Sequence, residues 1–102
     1  MATVTYINSF EVPPGRDEDF LALWTEVNAY MRKQPGYLSH RLHRSLGSDA
    51  RYRYVNVVQW ESVDRWQDAH GEEFRAIVTR PGQHVFASLP GMYEVVNDGQ
   101  AA

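Results

Sequence analysis

The stretch YVNVVQWES, residues 54–62, constrains the fold more than any other part of the chain. Read with a period of two, it places Tyr54, Asn56, Val58 and Trp60 on one face of a strand and Val55, Val57 and Gln59 on the other. A strand that is largely apolar on both faces needs cover on both, which sets it inside a layered sheet. Asn56 conflicts with that setting, because a buried amide without partners costs roughly 1–3 kcal/mol. Two readings stay open: the amide satisfies a nearby backbone group, or a ligand partners it.

The same period recurs at the start of the chain. Val4, Tyr6, Asn8, Phe10 and Val12 alternate with Thr5, Ile7 and Ser9, so a second strand carries an asparagine among aromatics. Pro13, Pro14 and Gly15 break that strand, and Asp17, Glu18 and Asp19 read as the solvated, acidic first turn of a helix. Phe20, Leu23, Trp24, Val27, Tyr30 and Met31 recur at helical spacing. The pattern then predicts strands over residues 37–46 and 51–61 joined as a hairpin, a helix from an N-cap at Ser62 with an interruption at Gly71, and a short strand at residues 92–97. The RPG and LPG triplets read as breaks between them.

The order βαββαβ is that of a ferredoxin-like α+β fold, an antiparallel sheet with helices on one face. Residues 1–97 are expected to form one domain and residues 98–102 a frayed tail. Ile7, Val55 and Val57 would lie on the face without helices, and a symmetric homodimer packed sheet to sheet would cover them.

Composition narrows the function. A net charge of −3 with scattered arginines offers no basic face, so neither nucleic acid nor a membrane surface is an expected partner. No run approaches the roughly 18 apolar residues of a membrane span, and the N-terminus goes directly into a strand pattern, so a cytoplasmic location is expected. The absence of cysteine removes thiolate chemistry, disulfides and cysteine-held metals. His40 and His43, three apart on a strand, point to opposite faces, and no histidine pair has ligand spacing, so no metal is expected. Nucleotide-binding loops and nucleophile elbows are absent too. With both asparagine faces toward the helices, Asn8, Asn56 and the Trp60 indole would project into an aromatic space that Tyr6 and Tyr54 help to line, as small-molecule pockets are furnished. His70, one turn after Trp66, reads as a helix-surface or pocket-lining residue.

INSFEVPPG, QPGYLSHRLHRS and YVNVVQWESVDRWQDAH resemble the antibiotic biosynthesis monooxygenase family of dimeric α+β barrel proteins, over residues 4–76. The likeness is greatest to cofactor-free oxygenases that turn polyketide anthrones into anthraquinones. It implies catalytic roles for Asn56, Trp60 and Asn8, and substrate contacts for His43 and Trp66; Arg75 is the nearest candidate for the family's pocket arginine. By alternation His43 shares a face with Ser39 and Arg41, so it reaches the pocket only if residues 38–44 are bulged or twisted. The haem-degrading branch uses a histidine farther along the helix that carries its tryptophan. Ile77, Val78 and Thr79 stand there, so haem degradation is not expected. The expected function is oxidation of a phenolic or anthrone-type aromatic to a quinone with O2 and no cofactor. A non-catalytic dimer that binds a quinone or other hydrophobic aromatic metabolite is the alternative, and a structural dimer whose asparagines satisfy the sheet is a third reading.

Overall fold

Strands β1 (Val4–Phe10) and β3 (Tyr54–Trp60) pair antiparallel at the centre of the sheet, in a computed structural model that describes residues 3–81 and 86–102. Strand β2 (Tyr37–Arg44) flanks β3, strand β4 (Ser88–Tyr93) flanks β1, and the order across the sheet is β2-β3-β1-β4. Between the strands run α1 (Asp17–Met31), α2 (Val63–Ala69) and α3 (Glu72–Val78). This is the ferredoxin-like α+β arrangement, with the second helical segment divided at His70 and Gly71. Ser62 caps α2 as its sequence suggests, its hydroxyl accepting the Arg65 N–H at 3.2 Å.

β4 departs from expectation. It spans Ser88–Tyr93 instead of residues 92–97, and Pro90 lies within it opposite Asn8. Proline is tolerated there because β4 is an edge strand, whose outward N–H groups have no ladder partner. The RPG break runs into residues 82–85, outside the described residues.

The face bearing Tyr6, Asn8, Val58 and Trp60 packs beneath the helices, and Met31, Val58, Trp60 and Ala69 form its buried core cluster. The opposite face carries Ile7 beside Val57, with Val55, Leu89 and Tyr93, and none of the three helices covers it. Leu89 and Tyr93 are 59% and 55% exposed.

Gly36 joins α1 to β2 with φ +91°, and a Cβ there would lie 2.5 Å from Arg65 Cβ. Gly36→Ala is therefore expected to destabilise the fold by roughly 1–3 kcal/mol in urea unfolding, the range for a strained left-handed residue. An unchanged midpoint would show that the turn relaxes.

Candidate functional site

The register of β1 and β3 builds the site. Asn8 stands directly opposite Asn56, and Tyr6 opposite Val58, all on the helix-facing side. Residues opposite one another on a shared face bring their Cβ atoms to about 4.5–5.5 Å, so the two carboxamides form one polar patch. Over it lies a cavity of about 260 Å³, walled by Phe20 and Trp24 of α1, Trp60 of β3, and His70 and Phe74 from the α2–α3 segment. Asn8 Oδ1 and Asn56 Oδ1 are buried with no hydrogen-bond partner, and so is Trp60 Nε1. The readings left open by sequence thus narrow, since the carboxamide oxygens satisfy no neighbouring backbone group. Each carboxamide can present its oxygen or its NH2 to a ligand by a half-turn about χ2.

His70 caps the C-terminus of α2, where its Nδ1–H donates to the Trp66 carbonyl at 2.6 Å. Its ring packs against Trp66 at 4.4 Å and Phe74 at 4.6 Å, with Tyr6 and Trp60 at 6.2 and 6.4 Å. Burial among these rings lowers the His70 pKa below the ordinary histidine value, partly offset by the hydrogen bond to Trp66. Burial also pushes the Tyr6 phenol up to about 12, so it stays protonated.

Asn8, Asn56, Trp60, Tyr6 and His70 meet at this cavity. Trp66 stands behind its wall, packed on Tyr6 at 5.3 Å, and its indole N–H is buried without a partner. Arg75 is exposed on α3 and does not line the cavity. His43 is a correction. A bulge is present, but it lies between Tyr37 and Ser39, too early to turn His43 inward. It brings Tyr37 and His40 to the helix side, while His43 pairs with Val55 on the opposite face, exposed, with Nδ1 at 3.3 Å from the Val55 carbonyl.

Tyr54 is a second correction. Its ring stacks on Phe20 at 4.6 Å, it is 2% exposed, and its hydroxyl donates to Asp17 Oδ2 at 2.9 Å. Arg53 donates to the same oxygen from Nε and Nη2 at 3.3 and 3.2 Å. Asp17 is thus no solvated helix start: it fastens α1 to β3. The Tyr54 hydrogen bond, then Arg53, holds its carboxyl below the usual range. A carboxylate lowered in this way stabilises the fold above the ordinary carboxylate pKa, and that contribution is lost as pH falls through the depressed value. Tyr54→Phe is expected to lower Tm at neutral pH and leave ligand affinity unchanged, whereas a loss of affinity would return Tyr54 to the binding wall.

Two residues that sequence reasoning passed over form a second polar point. Asn28 Nδ2 donates to the Tyr37 hydroxyl at 2.9 Å, and both line the cavity. The signal was present: Asn28 follows Trp24 by four residues and so lies on the apolar stripe of α1. Among the described residues no cluster of three histidine or carboxylate side chains could hold a metal, and no helix is long and apolar enough to cross a membrane.

The profile of the antibiotic biosynthesis monooxygenase family matches residues 3–80. Deoxynogalonate monooxygenase of Streptomyces nogalater is 32% identical over 79 residues, which cover 78% of this chain and 58% of that protein. The chain thus matches well under two thirds of that relative's length. The crystal structure of SnoaB, a cofactor-independent oxygenase from Streptomyces nogalater, superposes with a TM-score of 0.79 at 25% identity, covering 96% of this chain and 97% of SnoaB. A variant of MhuD, solved with two manganese protoporphyrin IX molecules per active site, superposes at 0.75 with 26% identity over 96% of this chain and 99% of that one.

Proposed function

We propose, for a chain that belongs to the antibiotic biosynthesis monooxygenase family, the activity of a cofactor-independent oxygenase that converts a phenolic or anthrone-type aromatic to a quinone with O2. The observation that carries this reading is the opposed pair Asn8 and Asn56, whose carboxamide oxygens are buried and unpartnered in an aromatic cavity beside the equally unpartnered Trp60 indole. Polar groups left unsatisfied at a cost of roughly 1–3 kcal/mol each are expected where a ligand completes them.

An anthrone has an acidic methylene para-related to a ketone across one ring. Loss of one methylene proton gives a delocalised enolate able to pass an electron to O2. With their NH2 groups turned inward, Asn8 and Asn56 would hold the enolate oxygen as an oxyanion hole does, an effect of roughly 3–4 kcal/mol per well-placed donor. The Trp60 ring offers a stacking face and its N–H a donor to the peroxy oxygen. The aromatic walls keep water from both intermediates.

Haem fits these residues poorly. His70 follows Trp66 by only four residues, and α3, which runs farther along the same helical segment, carries no histidine. The uncovered sheet face, with Ile7 and Val57 side by side at its centre, favours a homodimer in which two such faces pack together.

Oxygen uptake with dithranol or emodin anthrone tests the activity. Consumption of O2 with matching quinone formation, retained in EDTA, is expected. Tight binding of the anthrone without turnover would contradict catalysis and leave the non-catalytic aromatic binder.

A further inference from the structure

Oxygenation of a carbon acid begins with a proton, and the amides that hold the enolate cannot take it. Among the described residues that line the cavity, three side chains ionise: Tyr6, Tyr37 and His70. Both phenols are pushed upward by burial, Tyr37 against a smaller downward pull from Asn28, and so remain protonated donors. That leaves His70.

We propose that His70 is the general base of the reaction, taking the substrate's methylene proton on Nε2 while the asparagine pair holds the carbonyl oxygen. The proposal rests on the oxygenase reading above and adds a catalytic residue to it. The 2.6 Å hydrogen bond to the Trp66 carbonyl places the ring proton on Nδ1, so the neutral ring keeps its lone pair on Nε2, at the opposite edge of the imidazole. No described residue hydrogen-bonds to Nε2. The same bond fixes the ring plane, as the third member of a catalytic triad orients its histidine. Position fits as well. His70 packs on Tyr6, and Asn8 lies two residues further along the same face of β1, about 6.6 Å away along the strand. A ligand whose carbonyl and methylene sit at opposite ends of one ring would reach from the amides to the imidazole.

The step balances. The C–H bond breaks, its proton forms an N–H bond at Nε2, and the electron pair delocalises onto the carbonyl oxygen. One electron then passes to O2, the two radicals combine at the carbon, and the peroxide takes the proton back from His70. Loss of the second methylene proton with cleavage of the O–O bond gives the new carbonyl and one water. The substrate carbon loses four electrons and O2 gains four.

A capping role alone would also explain the Trp66 bond, so the test reads proton transfer itself. The whole chain is incubated without oxygen in D2O with dithranol, and deuterium entry at the methylene is followed by NMR. The wild type is expected to accelerate exchange along a single acid limb, with activity lost as pH falls through the lowered His70 pKa. The elements packed on the ring present Tyr6, Trp60, Trp66 and Phe74, of which only Tyr6 titrates, and far above this range. His70→Gln keeps an N–H near the Trp66 carbonyl but has no base; it should lose about a hundredfold or more of the catalysed exchange, and added imidazole should restore part of it. Exchange at the wild-type rate in His70→Gln overturns the proposal, as does a wild type that exchanges no faster than buffer. If His70→Gln fails to fold, the wild-type acid limb decides, its presence supporting the base and its absence overturning it. Exchange without quinone in air would sustain the base and remove the oxygenase reading, whereas quinone formation with undiminished exchange in His70→Gln would do the reverse.

Discussion

Asn56→Ala is expected to lower kcat/KM for anthrone oxidation by about 10²-fold or more, because loss of one oxyanion donor costs roughly 2.7–4 kcal/mol. Stability should change little, since Asn56 Oδ1 makes no hydrogen bond that the mutation would break. A purely structural asparagine forecasts the opposite, unchanged turnover and a lowered Tm. Trp60→Phe completes the test: it keeps much of the stacking surface and deletes the indole N–H. A loss equal to that of Asn56→Ala would assign Trp60 to hydrogen bonding, and a smaller one to packing. Trp60 is 1% exposed, so its melting curve must be read beside its kinetics.

Ile7→Asp is expected to convert a homodimer into a monomer of 11.8 kDa. Ile7 sits on a central strand of the sheet between Val57 and Gly91, and a two-fold interface would bury the new carboxylate twice, in apolar surroundings without a partner. The described cavity lies on the other face and is built within one chain, so anthrone binding should survive in the monomer. Light scattering checks both states. A wild type already monomeric at micromolar concentration would contradict the assembly, and the outer face would then need another explanation.

Much of this architecture is legible in the sequence, for a physical reason. Where a segment is covered on one side, period and burial coincide, as in the alternation of Tyr6, Asn8 and Phe10 and the helical stripe of Phe20, Trp24, Val27 and Met31. Tyr54 shared the correct face but not the cavity, because alternation gives the side of a sheet and not the depth at which Phe20 closes over it. His43 was drawn toward the pocket by resemblance and not by period: alternation alone sets it with Ser39 and Arg41 on the outer face, where its pairing with Val55 holds it. β4 was displaced because Pro90 and Gly91 read as punctuation, and only the strand order makes an edge strand of them. The asparagines were identifiable as anomalies in apolar strands; that they face each other is a matter of register, which depends on the whole sheet.

Under the proposed function, this chain's own side chains suffice to bring O2 to an aromatic carbon acid. The most direct measurement is isotopic. Protein treated with EDTA and freed of small molecules is given dithranol under isotopically labelled dioxygen, and the product is analysed by mass spectrometry. The expected product is a quinone carrying one labelled oxygen atom, formed at the full rate with no addition. Product that appears only when a metal, flavin or haem is supplied, or a quinone without the label, would contradict it.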